Sequence, residues 1–248
     1  MGTILALMAL AFVGAFIQRT IGFGFGIFVM TMLPYLMPSY AEATTLSGAL
    51  AMITSFGIMY HYWSFISWKY LLPLLMVFIV TSMIAIRIVE DLDQETLKKI
   101  LGVTLIVAAV YFWFFTDKIR IKPTLTTQVT LGTLSGFMGG FFAMQGPPAV
   151  LYFIEVSKKK EQYVALAQTF FALGNLAMTL YRAHVGFVTE AVCISWLWAF
   201  PAVVLGTFVG SWAFRYLSLD LLRHVVFIYI GICGVIALLG NDRSYKRL

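Results

Sequence analysis

The side chains best placed to handle a ligand sit where glycine interrupts apolar sequence. Gln18, Arg19 and Thr20 run into Ile21-Gly22-Phe23-Gly24-Phe25-Gly26, and Gln145 lies inside Gly139-Gly140-Phe141-Phe142-Ala143-Met144-Gln145-Gly146-Pro147-Pro148. A guanidinium such as that of Arg19 fits an oxyanion with paired donors, and the amides of Gln18 and Gln145 can donate to anionic oxygens. Glycine lets a ligand approach the backbone closely. A helix restarting after glycine offers unpaired N–H groups and a partial positive dipole. Pro147 and Pro148 suit the first turn of a helix resuming after Gly146, because the N–H that proline lacks would be unpaired there anyway; Gly24 and Gly26 are read as opening a helix in the same way. Two such ends facing each other would hold a small anion with few side-chain charges.

After the second interruption, Gln168 and Asn175 are seven residues apart and share a helix face, which one further step of seven carries to Arg182. Their amides are candidate donors to an anion, and interhelical hydrogen bonding worth about 1 kcal/mol is the competing role. Arg182 lies beside Tyr181 and His184 at the end of an apolar stretch, where snorkelling to headgroups is expected. His61, His184 and His224 also fall near span ends, so none reads as a buried proton relay. Glu42 suits a helix N-terminus, and Glu155 precedes three lysines; a coupling proton on either is a secondary alternative.

These residues must be positioned by helices in a bilayer. The 248-residue chain is 61% hydrophobic and 11% charged, with a mean hydropathy of +0.91, against about 25% charged in soluble domains. Six stretches, roughly 43–60, 70–86, 100–116, 164–181, 191–214 and 225–240, are each long enough to cross ~30 Å of hydrocarbon. The glycine-bearing segments, roughly 3–37 and 126–155, are longer than one crossing and short for two, so each is a tilted broken helix or a re-entrant hairpin. Broken backbone survives at membrane depth only where protein or a cavity satisfies it, and paired breaks at matching points mark a transporter's site. The long apolar runs lack the period-2 alternation of a barrel.

The glycines share one frame: Gly14 to Gly136 and Gly24 to Gly146 are both steps of 122 residues. An internal duplication into 1–122 and 123–248 is the simplest cause. The expected fold is therefore an all-α polytopic membrane protein of two homologous repeats, each a broken or re-entrant segment plus three transmembrane helices. With two hairpins each half crosses an odd number of times and the repeats are inverted; four full crossings per half would make them parallel. Basic residues divide nine to seven between the two sides in the first case, and eight to eight in the second, which favours inversion.

The net charge of +6 follows from basic loops meeting anionic lipid. No soluble stretch offers a nucleic-acid face. Cys193 and Cys233 lie in apolar spans without metal-ligand or CxxC spacing, so neither a metal nor a disulfide is expected. There is no phosphate-binding loop for ATP, no HExxH and no nucleophile with a base, so the chain is not read as an enzyme and no cofactor is implied. Tyr62, Trp63, Trp68 and Tyr70 form an interfacial aromatic belt.

Two stretches, AFIQRTIGFGFGIFVMTMLP from Ala15 to Pro34 and GGFFAMQGPPAVLYF from Gly139 to Phe153, resemble the repeated signature of the TauE/SafE anion-transporter family, also called the toluene sulfonate uptake permeases. Length, span count and duplication extend the resemblance over nearly the whole chain. It implies transport of small organic or inorganic anions such as sulfite, sulfonates or sulfoacetate. Gln145, where the family pattern has a small residue, and the added charge of Arg19 are departures.

The reading is a secondary carrier of the plasma membrane for such anions. Its substrate-binding residues are expected among Gln18, Arg19, Thr20, Gly22, Gly24, Gly26, Gln145, Gly146, Pro147, Pro148, Gln168 and Asn175. A coupled proton or cation and a homodimer are compatible with it. An anion channel and a non-transporting assembly subunit are the alternatives.

Overall fold

The computed structural model of the chain describes residues 2–114, 122–213, 228, 229, 231–236 and 238, with helical backbone alone at 111–114. Lys118, Arg120, Arg215, Arg223, His224, Arg243, Lys246 and Arg247 lie outside the described residues. So do the last residues of the expected spans 100–116 and 191–214, and part of 225–240.

Every regular element among the described residues is helical. In the first half these are α1 (Gly2–Ile21), α2 (Phe25–Val29), α3 (Leu33–Leu36), α4 (Tyr40–His61), a 3-10 turn at Trp63–Phe65, α5 (Trp68–Asp91) and α6 (Gln94–Phe114). In the second they are α7 (Leu125–Phe142), α8 (Gly146–Val156), α9 (Lys160–His184) and α10 (Glu190–Ala213). Five of them, α1, α4, α5, α9 and α10, are long and apolar enough to cross a membrane. Helices α5 and α6 overrun the apolar windows read from sequence, because polar caps carry a helix past its hydrocarbon section. The Asp93 carboxylate accepts the Thr96 N–H at 2.8 Å at the start of α6, and Lys99 pairs with Glu95 at 2.6 Å one turn on. The charged run Glu90–Lys99 straddles the turn between the two helices.

The outside of the bundle is apolar. On α5, Leu72, Met76, Val80, Ile84 and Ile88 recur every four residues and are all exposed, as are Leu197, Phe208 and Trp212 on α10. In water such stripes would be association surfaces; in a bilayer they face lipid tails. Trp63 and Trp68 meet edge to face at the α4–α5 turn, with Tyr60 nearby at 84% exposure, where an interfacial belt belongs.

Three helix pairs hold the interior together: α5 with α7, α1 with α10, and α4 with α9. All three pair across the halves, and the first two run parallel through glycine. Gly132, Gly136 and Gly140 of α7 lie against Leu74, Thr81 and Ala85 of α5, and Gly206 and Gly210 of α10 against Phe12 and Phe16 of α1. A methyl group on Gly136 would overlap the Thr81 hydroxyl. This is the close backbone approach that drives helix association in lipid, where hydrophobic exclusion is absent. Helices α4 and α9 run antiparallel, since Gly48 faces Asn175 and Thr179 while Thr44 faces Arg182.

Candidate functional site

Helix α1 stops at Ile21, and the chain turns at Gly22 (φ 97°) and Gly24 (φ 108°) before α2 begins at Phe25. Both angles lie in a region that a Cβ penalises, which is why glycine stands there. The first bond of α2 runs from the Phe28 N–H to the Gly24 carbonyl at 2.9 Å, so the N–H groups of Phe25, Gly26 and Ile27 precede the helical ladder. Helix α7 ends on Ala143, whose φ of 54° is left-handed, with its N–H donating to the Gly139 carbonyl at 2.9 Å. Helix α8 then starts with Gly146, Pro147 and Pro148 in its first turn.

The two interruptions touch. A methyl group on Gly26 would overlap the Ala143 carbonyl oxygen, and Gly146 lies beside the Phe23 ring. Between them is a cavity of about 20 Å³ lined by Gln18, Gly24, Phe25, Gly26, Ile27, Ala51, Ala143, Met144, Gln145, Gly146, Phe171 and Asn175. That is room for about one water molecule.

Its polar walls are amides. The Gln18 Nε2 donates to the hydroxyls of Thr54 and Ser55 on α4, and the Gln145 Nε2 donates to the Asn175 Oδ1 at 2.9 Å. The Gln145 Oε1 is buried without a partner. Turning both amides of the Gln145–Asn175 pair over keeps their mutual bond and exchanges an unpaired acceptor for an unpaired donor.

Of the residues expected to bind substrate, Gln18, Gly24, Gly26, Gln145, Gly146 and Asn175 meet in this cavity. The others are placed elsewhere. Gln168 donates to the Gly22 carbonyl at 2.8 Å, so α9 pins the first interruption. The Thr20 hydroxyl bonds back to the Phe16 and Ile17 carbonyls of its own helix. Pro147 and Pro148 line a separate, apolar cavity of about 430 Å³ shared with α6 and α7. Arg19 donates from Nε to the Ser211 hydroxyl at 2.6 Å and lines another cavity of about 300 Å³ with Thr54, His61 and Thr207, near the C-terminal end of α4.

Arg182 corrects an expectation. It does not snorkel: at 1% exposure it is among the largest fully buried side chains. Its Nη1 donates to the Thr44 carbonyl at 2.8 Å and its Nη2 to the Gly140 carbonyl at 2.8 Å. The last turn of α7 and the first of α4 close over the guanidinium before it can reach a headgroup. The seven-residue step from Asn175 was the signal in the sequence. Glu42 takes its helix-start role, with its N–H donating to Ser39 at 3.2 Å and its carboxylate accepting from the Ser39 and Thr189 hydroxyls. Among the described residues no cluster of side chains could hold a metal ion.

Fold and cavity together define a multi-pass helical membrane protein with a small polar site where two helix interruptions meet. The chain belongs to the sulfite exporter TauE/SafE family, whose model matches residues 7–237, and it is a protein of the cell membrane. A relative from Cupriavidus necator, named a probable sulfite/organosulfonate exporter TauE, is 23% identical over 217 residues, covering 84% of this chain and 82% of its own length. No solved structure matches the chain.

Proposed function

We propose that this protein is a secondary carrier for small sulfur oxyanions, sulfite or an organosulfonate, which it binds between its two interrupted segments. The observation that carries this reading is the meeting of Gly26 with the Ala143 carbonyl, which makes one cavity from both interruptions and surrounds it with neutral donors. Neutral donors suit an ion that must be released as well as bound, since release requires binding that is not too strong. The family and the name of the relative point to sulfur oxyanions as the class to test. Amides and apolar side chains line the cavity, with no carboxylate and no nucleophile–base pair, which supports binding over catalysis. Because the space holds about one water, an ion passes only if the interrupted segments part, which favours a carrier over a standing channel.

The same reading includes two inverted repeats, 1–122 and 123–248, that rock against each other. Supporting it, α5 and α10 each have 24 residues and begin 122 positions apart, at Trp68 and Glu190. Helix directions also fit. Helix α1 runs parallel to α10, and α10 runs with α4, since Thr189 meets Glu42 at the start of both and Ser211 shares a cavity with His61 at their ends. Two successive long helices in one direction require the chain between them to come back. The chain available for that return, residues 22–39, holds helices of only five and four residues, so it comes back as a broken segment paired with α1 and not as a continuous spanning helix. A hairpin in each half leaves three crossings per half, an odd number.

The test is a thermal-shift series on detergent-purified protein with sulfite, ethanesulfonate, acetate and chloride, paired with flux into proteoliposomes. A ligand of the folded state raises its melting temperature. Stabilisation by the sulfur oxyanions, and their saturable flux, supports the carrier; equal response to all anions, or none, rejects the substrate class.

A further inference from the structure

Beyond the central cavity, α9 turns Asn175, Thr179 and Arg182 toward Gly48 of α4. A methyl group built on Gly48 would stand 3.5 Å from the Asn175 Oδ1, 3.6 Å from the Arg182 Nη1 and 3.7 Å from the Thr179 Oγ1. All three are ordinary contact distances, so a methyl-sized space there is ringed by polar atoms of one helix face.

Its surroundings are short of partners. The hydroxyls of Ser47, Thr179 and Tyr40 are buried with none. Ser47 is fully buried, with its Oγ 3.7 Å from a methyl built on Gly26, which is itself a wall residue of the central cavity. Tyr40 is 1% exposed and borders a cavity of about 390 Å³ that also involves Ser39, Glu42 and Thr189. Unsatisfied buried hydroxyls are costly in a membrane interior, yet here they stand at Tyr40 and Ser47 of α4 and at Thr179 of α9, which faces Gly48.

Arg182 faces Gly48 as well. Among the described residues it donates to the carbonyls of Thr44, Gly139 and Gly140, and no carboxylate lies within ion-pair distance of it. Carbonyl dipoles orient a buried cation but do not cancel its charge. Intramembrane cations face the bundle interior or a cavity and commonly mark substrate pathways. Nη1 carries a second N–H beyond the one given to Thr44.

We propose that the seam between α4 and α9 is the route of the anion from the central cavity to the vestibule at Ser39 and Tyr40. Arg182 is the transit subsite, pairing with the oxyanion as it passes Gly48. The inference rests on the carrier reading above. It assigns this seam a function that a purely structural clamp on α7 would not have.

The test is Gly48→Ala, which fills the space at contact distance without overlap. Expected are an unchanged melting temperature, an unchanged thermal shift with sulfite at the central cavity, and sulfite flux slowed about tenfold or more. The loss should be greater for the bulkier ethanesulfonate, because a narrowed passage discriminates by size whereas a general defect slows both alike. Arg182→Lys, keeping the charge, should retain more flux than Arg182→Gln. Sulfite and ethanesulfonate fluxes in Gly48→Ala equal to wild type overturn the route while leaving the carrier reading intact. Wild-type protein that moves neither anion overturns the carrier reading and this inference with it.

Discussion

The two interruptions meet at one cavity yet are built differently. At the first, glycines at positive φ turn the chain into α2, a five-residue helix whose leading N–H groups are intact. At the second, an alanine takes the left-handed turn and the eleven-residue α8 opens with two prolines, which remove two of its leading N–H groups. What the second end lacks in backbone donors it supplies in side chains, the Gln145–Asn175 amide pair. Each is tied to α9 by a different device: Gln168 holds the Gly22 carbonyl, and Arg182 holds the carbonyls of Gly139 and Gly140. The lesson is that two glycine-bearing interruptions 122 residues apart need not carry matched chemistry. A small anion between these ends would be met by backbone N–H groups and Gln18 on one side and by the Gln145–Asn175 pair on the other.

That contrast can be broken most sharply at the point of contact. Gly26→Ala forces a methyl into the Ala143 carbonyl, and backbone cannot yield as a side-chain tip can. Flux should fall about tenfold or more, at least ~1.4 kcal/mol in barrier, whereas Gly146→Ala, with its nearest neighbour at 3.4 Å, should stay near wild type. Equal loss in both would mean the two ends are equivalent after all. Next, Gly24→Ala puts a Cβ at φ 108° and should cost ~1–3 kcal/mol of stability, read as a lower melting temperature.

Amide substitutions separate the two sides more finely. Gln145→Leu strips the Asn175 Oδ1 of its donor and should cost ~1–3 kcal/mol of stability, read as a lower melting temperature, together with weaker sulfite binding. Gln18→Leu should cost less, because the Thr54 and Ser55 hydroxyls also donate to the Ala51 carbonyl. Pro147→Ala should leave sulfite affinity unchanged, since that side chain lines the apolar cavity; tighter binding would show that the missing N–H matters.

The smallest effect is expected away from the site. The Asp93 carboxyl is held below its usual range by hydrogen bonds from the Thr96 hydroxyl and N–H. A depressed folded pKa contributes stability above the unfolded value, near 4, and that contribution disappears as pH falls through the folded value. Asp93→Ala should therefore melt slightly earlier than wild type at pH 7, with the gap closing in acid.

Much of this was legible in the chain. Gly22, Gly24 and Gly26 could be read as a break because they interrupt an apolar run, and the paired amides announced themselves by polarity in apolar surroundings. Asn175 and Arg182 shared a face by spacing alone. The fate of Arg182 was not legible, because sequence places it at a span end and only the enclosing turns of α4 and α7 keep it from the headgroups. Arg19 shows the reverse: adjacent to the glycine turn in sequence, it rotates away on α1 to meet Ser211 of α10.

By itself the sequence determined the solvent, the helices and the places where they had to break, since hydrocarbon fixes hydropathy, length and backbone satisfaction one segment at a time. Only the tertiary structure decided that the two interruptions touch, which polar groups share their cavity, and that Arg182 lies buried beside a seam. Those outcomes depend on glycine-mediated approach between helices from opposite halves, a relation between distant segments that no local pattern encodes.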